Sequence, residues 1–370
     1  MKKYGYGIMV LVLVFSLVLA ACAAPKAPAP APAPASRQPT PSAPQLTPQQ
    51  QLEEAAKKEG ELDIWVEEWS GAQEMEKIWS AKYPSITLKV WDSSAMNIVP
   101  KAIEEAKVDR YSVDVFNIAD SWAFDLVKAD LIREYDFPNV KGWQLQPEHN
   151  FYRNLYGGAN SPLYNTELIT AAESPKTYAE LKDPKWSGKA ILSTSPVSTP
   201  LALAYLWRKG DVLNWEESEK YWNEMFQVVR PMTSRGFSST LERVIAGEFH
   251  LFLLCSNAAG TRAIKLGAPV AFSAFKDPLY TMPVALAIAK NAPHPNAAQL
   301  FVDFVTEKDI TMLLAEGRGE ISYHPEATLR VTGNRLTQGL NMFVIPPEYS
   351  TNPEYSERTR AIWSEITGMK

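Results

Sequence analysis

The chain has 370 residues, which is too long for one compact core and suits two lobes of ordinary domain size. Hydrophobic residues make up 46% and charged residues 21%, a globular balance that excludes wholesale disorder. The net charge of −5 argues against a nucleic-acid partner. Two cysteines exclude a disulfide framework and a cysteine-rich zinc site, and four histidines without i, i+4 spacing exclude a zinc hydrolase of the HExxH type.

Residues 1–21 are a predicted signal peptide. Lys2 and Lys3 precede an apolar run over residues 8–21, which is the pattern of a secretory signal. Leu-Ala-Ala then precedes Cys22, and this resembles the lipobox of bacterial lipoproteins, which implies cleavage before Cys22 and lipidation of that cysteine. The alternative is an uncleaved membrane anchor, because the uncharged stretch is roughly the 20 residues that a span needs.

Residues 22–48 are a predicted tether. Nine prolines in residues 23–48, several of them alternating with alanine, keep this stretch extended and solvated. Its reach is roughly 80 Å at about 3.1 Å per residue. We therefore expect a folded body that works at a distance from a membrane, attached to it through the lipid on Cys22.

The body begins with strands and helices in alternation. Predicted strands cover residues 62–66, 86–91 and 113–118, and predicted helices cover 73–83, 99–108 and 121–129. Strands separated by such helices indicate parallel βαβ units. Ligands of open parallel sheets bind beyond the carboxyl ends of the strands, so the loops at those ends are where we expect the binding site.

A second alternation follows and predicts a second lobe. Its strands are predicted at residues 190–192, 228–230, 249–255 and 270–275, followed by one at 284–289. Its helices are predicted at 200–208 with Thr199 as cap, after Asn214, after a capping box of Ser239 and Glu242, and at 257–266. After this lobe come the strand at 284–289 and helices at 297–306, 309–316 and 354–366. The glycine-rich residues 317–320 follow a helix and predict a C-cap and turn.

The loops at the strand ends carry small hydroxyl residues next to helix starts. Free N–H groups and the positive dipole end of a helix suit a carboxylate, phosphate or phosphonate, although each serine alone could be only an N-cap. Arg235 is the cation best placed to meet an anion, unless it is merely solvated. Trp65, Trp69 and Trp122 lie on or beside these loops, either as core or as cover for a ligand. No GxGxxG, GxxxxGK[ST] or GxSxG motif is present, so no residue pattern supports an enzyme.

Several segments resemble bacterial extracellular solute-binding proteins close to the ferric-iron-binding group. Residues 174–199, SPKTYAELKDPKWSGKAILSTSPVST, are similar to that family's signature region, and residues 267–270 (GAPV) and 292–305 (APHPNAAQLFVDFV) to a later one. Residues 162–168 (PLYNTEL) resemble its hinge-crossing strand. The likeness covers residues 60–316, and no likeness is assigned to 319–370.

The resemblance implies an α/β fold of the two-lobed type II periplasmic-binding-protein class, each lobe a mostly parallel sheet flanked by helices, with a hinge between. The expected division is lobe 1 at residues 49–162, lobe 2 at 163–280, and a return to lobe 1 with the C-terminal helices at 281–370. The resemblance also implies closure on a small-molecule solute and its delivery to an ABC importer permease. We expect a monomer on the outer face of the cytoplasmic membrane, periplasmic or at the cell surface.

One departure from that family concerns the metal. Iron-binding members place tyrosines just after the strand that here ends at Cys255, whereas this chain reads Cys255-Ser256-Asn257-Ala258. Tyr164 could match a further family tyrosine, but one phenolate does not make a ferric site. We therefore expect no metal, no cofactor and no catalytic residue.

The prediction is thus a receptor for a small polar solute, with an anion favoured over a polyamine-type cation caged by Trp69 and Glu67. Binding of ferric iron, signalling to a membrane sensor and a surface-anchored enzyme stay open as hypotheses. The expected ligand-binding residues follow from loop position and family likeness: Trp69, Ser70, Ser93, Ser94, Asp120, Ser121, Tyr164, Ser195, Ser198, Thr199, Arg235, Ser238 and Asn257.

Overall fold

Helices flank a mixed sheet in the residues that the computed structural model describes, which are 46–67, 72–195, 198–326 and 341–368. The strands there are β1 (Glu61–Val66), β2 (Thr87–Asp92), β3 (Val115–Ala119), β4 (Tyr152–Asn165), β5 (Ala190–Ser193), β6 (Met232–Ser234), β7 (Leu251–Ser256), β8 (Val270–Phe272), β9 (Leu279–Ile288), β10 (Ile321–Ser322) and β11 (Met342–Phe343). The helices there are α1 (Pro48–Glu59), α2 (Gln73–Lys82), α3 (Ala95–Ala106), α4 (Asp120–Lys128), α5 (Tyr178–Leu181), α6 (Thr199–Leu206), α7 (Trp215–Val228), α8 (Phe237–Ile245), α9 (Asn257–Lys265), α10 (Pro295–Val305), α11 (Lys308–Arg318), α12 (Pro347–Ser350) and α13 (Pro353–Thr367).

The first lobe is built on strands in the order β2-β1-β3-β9-β4. Strand β1 pairs in parallel with β2 and β3, while β9 is antiparallel to β3 and β4. Helices α2, α10 and α11 bury an apolar cluster on this sheet around the fully buried Trp79. A second apolar cluster around Phe116 covers the same lobe against α3 and α4.

The second lobe repeats this plan with strands in the order β6-β5-β7-β4, and β8 also pairs with β4. Strand β5 pairs in parallel with β6 and β7, and β4 is antiparallel to β7. Its apolar clusters gather around Trp222 and around Phe252. Helices covering a largely parallel sheet in each lobe confirm the predicted fold class.

Strand β4 passes from one lobe into the other. Its residues from Tyr152 to Ala159 pair with β9, and those from Asn160 to Tyr164 pair with β7. The strand therefore begins ten residues before the segment whose sequence resembled a hinge crossing. At the crossing only glycine fits at position 157, because a Cβ there would lie 2.0 Å from the hydroxyl of Tyr323.

Helix starts and ends follow local sequence chemistry. Thr47 and Gln50 form a capping box at the start of α1, and Gly60 ends that helix in the left-handed conformation. Gly319 ends α11 in the same way, as the glycine-rich turn predicts, although Arg318 still belongs to the helix. These caps fix where each connecting loop leaves its helix.

One predicted strand of the second lobe is wrong. Val228 ends helix α7, and strand β6 begins only at Met232. The reason is that Val229 is fully buried at the end of the helix, where its N–H donates to the carbonyl of Met225. The apolar last turn of a helix and a short buried strand have the same sequence pattern, a short run of apolar residues.

Two predicted caps in the same lobe are also wrong. Helix α8 begins at Phe237, so Ser239 lies inside it, and its hydroxyl donates to the carbonyl of Arg235. Helix α6 begins at Thr199 itself, with Ser198 in the N-cap position. Element boundaries of this kind depend on tertiary contacts as much as on local sequence.

The C-terminal segment makes contacts in both lobes. Strand β11 pairs with the start of β9, α12 packs against α4, and α13 packs against α6 and α7. The predicted lobe boundaries at 162 and 280 stay predictions, and the signal peptide, Cys22 and most of the tether (residues 22–45) lie outside the described residues. No helix in the described ranges has the length and apolarity of a membrane span.

Candidate functional site

Two groups of predicted site residues lie at the carboxyl ends of parallel strands, one group in each lobe. Because β1, β2 and β3 are parallel, the residues after them share one sheet edge, and the same holds for β5, β6 and β7. The first half-site comprises Glu67, Ser93, Ser94, Asp120 and Ser121. The second half-site comprises Ser195, Ser198, Thr199, Arg235, Ser238 and Asn257.

Three predicted residues do not join these groups. Trp69 and Ser70 lie outside the described residues. Tyr164 pairs with Leu251 at the amino end of β7, the opposite end from Asn257, and its ring packs into the apolar cluster of the second lobe. Burial there raises the pKa of Tyr164.

The serines at the helix starts are not N-caps in the usual sense. Ser94 and Ser198 occupy N-cap positions, but neither hydroxyl accepts an N–H of its own helix. Ser93 instead accepts a hydrogen bond of 3.1 Å from the Asn97 side chain, and the N–H of Ser195 donates to the Ser193 hydroxyl at 3.2 Å. The hydroxyls of Ser94 and Ser198 therefore do not act as structural helix caps.

Glu67 already occupies the helix starts of the first half-site. Its two carboxylate oxygens accept the backbone N–H groups of Ala95, at the start of α3, and of Ala119, the N-cap of α4, each at 3.3 Å. Arg318 donates to the main-chain carbonyl of Glu67 at 3.2 Å and forms a nearly buried ion pair with Glu320 at 3.0 Å. The first half-site thus carries its own anion where a bound anion would otherwise sit.

Asp120 adds a second carboxyl group to the first half-site. It begins α4 and is only 8% exposed, and burial raises its pKa to about 7, although a hydrogen bond from the Ser121 backbone works in the opposite direction. Burial first and then the charge of Asp120 raise the pKa values of Tyr152 and Tyr280. The hydroxyl of Tyr152 is buried and has no partner among the described residues.

Asn257 is the most unusual residue of the second half-site. It is 1% exposed at the start of α9, yet both its side-chain nitrogen and its side-chain oxygen lack a hydrogen-bond partner in the described part of the chain. The buried hydroxyls of Thr261, one turn later, and of Ser161, opposite Cys255 on β4, are unpaired too. Such groups are rare in folded proteins because each one costs free energy, and a ligand or water usually satisfies them.

The two lobes meet close to Asn257. A Cβ at Gly319, in the turn after α11, would lie 3.1 Å from the backbone of Ala258. Lys265 of α9 also donates to the carbonyl of Glu316 in α11 at 3.2 Å. Sequence reasoning missed Glu67 as a cap and missed Arg318 and Glu320, because only tertiary contacts bring these residues to the strand ends.

One cluster in the described ranges has the side chains of a metal site but lies elsewhere. Ligand atoms of Asp63, Asp114 and His294 lie within 4.8 Å of one another at the amino end of β3. The Asp114 oxygens already accept the backbone N–H groups of Asp63 and His294, each at 2.7 Å, and His294 Nδ1 lies 2.9 Å from one of them. This arrangement ties β1, β3 and α10 together and accounts for the burial of Asp114.

Solved structures with a similar fold are solute-binding proteins. A Bordetella ferric binding protein is 16% identical with a TM-score of 0.67, and the match covers 84% of this chain and 100% of that one. The Trichodesmium protein IdiA (FutA), solved with iron and citrate, is 14% identical with a TM-score of 0.66, covering 84% and 100%. AfuA from Actinobacillus pleuropneumoniae, solved with fructose-6-phosphate, is 18% identical with a TM-score of 0.58, covering 84% and 99%.

At these identities the structural likeness shows the fold, a two-lobed periplasmic binding protein. No curated protein matches the chain in sequence. The family model for bacterial extracellular solute-binding proteins, however, matches residues 114–336, which is more than half of the chain. Members of this family are transport proteins that serve importers of the ABC type from the periplasm or the cell surface. This chain therefore belongs to the bacterial extracellular solute-binding family.

Proposed function

We propose that this protein captures a small, negatively charged organic solute between its lobes and delivers it to an ABC importer in the membrane. The observation that carries the proposal is Asn257, an almost fully buried amide whose two polar atoms are unpaired within the described residues, at the start of helix α9. A solute that hydrogen-bonds this amide would satisfy groups that otherwise cost free energy.

The charge of the solute follows from the second half-site. Helices α6, α8 and α9 begin there without a cap hydrogen bond from an N-cap side chain, so their N–H groups favour an anion. Arg235 is exposed beside them and forms no ion pair with any described residue. The solute's anionic group is therefore expected on Arg235 and Asn257, with Ser195, Ser198, Thr199 and Ser238 around it.

The first half-site favours a different group of the same solute. Glu67 and Asp120 place two carboxyl groups there, and hydrogen-bond donors or a positive charge would meet them favourably. The same two carboxyl groups are the observation that favours the second candidate, a polyamine-type cation bound in place of an anion. Ser93, Ser94 and Ser121 would contact neutral polar groups.

Ferric iron is the weaker alternative, even though several proteins of similar fold are described as ferric-binding. The residues after β7 are Asn257 and Ala258, where no phenolate is available. Cys255 is fully buried, and burial raises the pKa of its thiol, so it does not supply a thiolate. The donor set thus favours an organic solute.

The N-terminal segment supports a location on the outer face of the cytoplasmic membrane, periplasmic or at the cell surface. Lipidation of Cys22 and the proline-rich tether would hold a monomeric receptor within reach of its permease. A sensor partner in place of a permease would use the same closure. An enzyme on this scaffold would need a catalytic constellation, and the sequence pattern offers none.

A thermal-shift screen of the full chain in detergent tests this proposal. The panel should contain organic acids, organophosphates, phosphonates, sugars, polyamines and ferric citrate. A solute at 100 times its dissociation constant adds about 2.7 kcal/mol to the unfolding free energy. We expect an anionic organic solute to raise the melting temperature and to be recovered chemically unchanged. A panel in which no compound shifts the melting temperature, or a bound compound that is turned over, would contradict the proposal.

A further inference from the structure

The C-terminal helix α13 packs against the second lobe beside the helices that lead from its half-site. Helix α13 packs on α6 and α7, and its Arg358 forms an exposed ion pair of 2.9 Å with Glu219 of α7. Its Trp363 is 1% exposed, with its ring 5.2 Å from that of Trp222 in an edge-to-face arrangement. The segment is therefore part of the core of the second lobe.

Trp363 also makes one buried polar contact, and that contact reaches a binding loop. Its indole N–H donates to the carbonyl of Thr194 at 2.9 Å. Thr194 directly follows β5 and precedes Ser195, at the start of the loop that leads into α6. The bond joins residues 169 positions apart in the chain, so no local sequence pattern indicates it.

Thr194 links this loop to the next one. Its backbone N–H donates to the carbonyl of Ser234 at 2.9 Å, and its hydroxyl lies 3.3 Å from the same carbonyl. Ser234 ends β6 and is followed directly by Arg235. A single residue therefore ties together α13, the loop bearing Ser195 and the loop bearing Arg235.

We propose that Trp363 is a positioning residue for the second half-site, holding the loops after β5 and β6 in the arrangement that receives the solute. The consequence for binding rests on the proposed function, whereas the positioning of the loops does not. The C-terminal segment, for which sequence alone indicated no role, thereby becomes part of the binding apparatus without touching the solute.

The chain offers a matched control for this proposal. Trp186 is 2% exposed in the same apolar cluster, and its indole N–H donates to the carbonyl of Glu180 at 3.0 Å, away from both half-sites. Trp363→Phe and Trp186→Phe each remove one buried N–H donor and keep an aromatic ring. A purely structural role predicts similar consequences for the two variants.

Hydrogen exchange of the full chain without solute separates the two roles. We expect Trp363→Phe to speed exchange of the backbone amides in residues 193–195 and 234–236 by about tenfold, and Trp186→Phe to change them by less than about twofold. Equal effects of the two variants on these amides would overturn the proposal. If Trp363→Phe does not fold, wild-type exchange decides: the Trp363 indole N–H and the Thr194 amide should exchange at similar rates, and a freely exchanging indole would refute the contact.

Affinity provides the second measurement. For the compound with the largest thermal shift in the screen, we expect Trp363→Phe to raise the dissociation constant by about tenfold and Trp186→Phe to leave it within about twofold. Unchanged affinity in Trp363→Phe would contradict positioning. If no compound binds the wild type, the proposed function fails, and the exchange experiment still decides whether Trp363 positions the loops.

Discussion

The two half-sites are built from the same topology but treat their helix starts in opposite ways. In the first lobe, the carboxylate of Glu67 accepts N–H groups at the starts of α3 and α4. In the second lobe, the N-cap residues of α6, α8 and α9 make no side-chain cap, and Asn257 is buried there with no partner among the described residues. One lobe therefore neutralises its helix dipoles internally, and in the proposed function the helix starts of the other lobe receive the anionic group of the solute.

This difference indicates how two lobes of the same topology can differ in the charge that their half-sites prefer. The parallel strands of both lobes bring helix starts to one sheet edge, which is a property of the fold. In the proposed function, single side chains decide which edge receives an anion, Glu67 in one lobe and Arg235 in the other. Substitutions at the half-sites should therefore change charge preference while the fold is retained.

The largest expected effect concerns the pH dependence of the first half-site. Burial raises the pKa of Asp120 from 3.8 to about 7, so the folded state holds a proton that the unfolded state has lost between these values. The contribution of Asp120 to the unfolding free energy should fall as pH rises from about 4 to about 7, by up to about 1.4 kcal/mol per pH unit. Wild type should therefore lose unfolding free energy over this range relative to Asp120→Asn. Urea unfolding of wild type and Asp120→Asn across this pH range measures the difference. Identical pH profiles of the two proteins would contradict a buried Asp120.

Arg235→Glu tests the second half-site. Reversing the charge beside the start of α8 should weaken binding of an anionic solute by at least about 100-fold, or about 2.7 kcal/mol. Arg235 is exposed, so the melting temperature without solute should stay unchanged. Arg230→Glu, at the other end of β6, is the matched control and should retain affinity. Calorimetric titration measures both, and equal affinities of the two variants would show that Arg235 does not bind the solute.

Asn257→Leu separates binding from stability. Leucine replaces an unpaired buried amide, so the variant should be more stable than wild type by about 1 kcal/mol and bind the solute about tenfold more weakly. Asn165→Leu is the control, because Asn165 is equally buried but donates to Val244 at 2.8 Å and accepts from Glu167 at 2.9 Å. That variant should be less stable. Thermal unfolding measures the stability of both variants, and calorimetric titration measures their affinity. A destabilised Asn257→Leu would show that the Asn257 amide already has hydrogen-bond partners.

The smallest expected effect comes from Glu67→Gln. Removing this charge leaves the starts of α3 and α4 more open to an anion, so affinity for an anionic solute should rise by about threefold at low salt. Glu61→Gln, at the other end of β1, should leave affinity unchanged, since Glu61 is paired with Lys89 at 2.7 Å. Weaker anion binding by Glu67→Gln would contradict the proposed difference between the half-sites.

Much of this architecture could be predicted from sequence because its signals are local. Strong periodicity located β1, α2, β7, α9 and α13 to within about two residues, and the strand-end rule brought most of the predicted hydroxyl and amide residues to two sheet edges. The apolar last turn of α7 was misread as a strand, because Val228 and Val229 fit either structure. Ser239 was misread as a cap because a capping-box sequence can also occur inside a helix.

The remaining features of the site depend on contacts that sequence spacing does not reveal. Glu67 reaches amides 28 and 52 positions away, and Trp363 reaches a carbonyl 169 positions away. Tyr164 was a candidate for a family tyrosine position, yet its ring lies in the apolar core of the second lobe. Residue type and loop position thus predict where a candidate site lies, while the charge that each half-site prefers depends on tertiary contacts.

A crystal structure of the complex with the solute selected by the thermal-shift screen tests the central claim most directly. We expect the anionic group to lie about 3 Å from the Asn257 amide and from the Arg235 guanidinium. We also expect the Glu67 carboxylate to keep accepting hydrogen bonds from the backbone N–H groups of Ala95 and Ala119. An anionic group bound at the starts of α3 and α4, with Asn257 still unpaired, would contradict the claim.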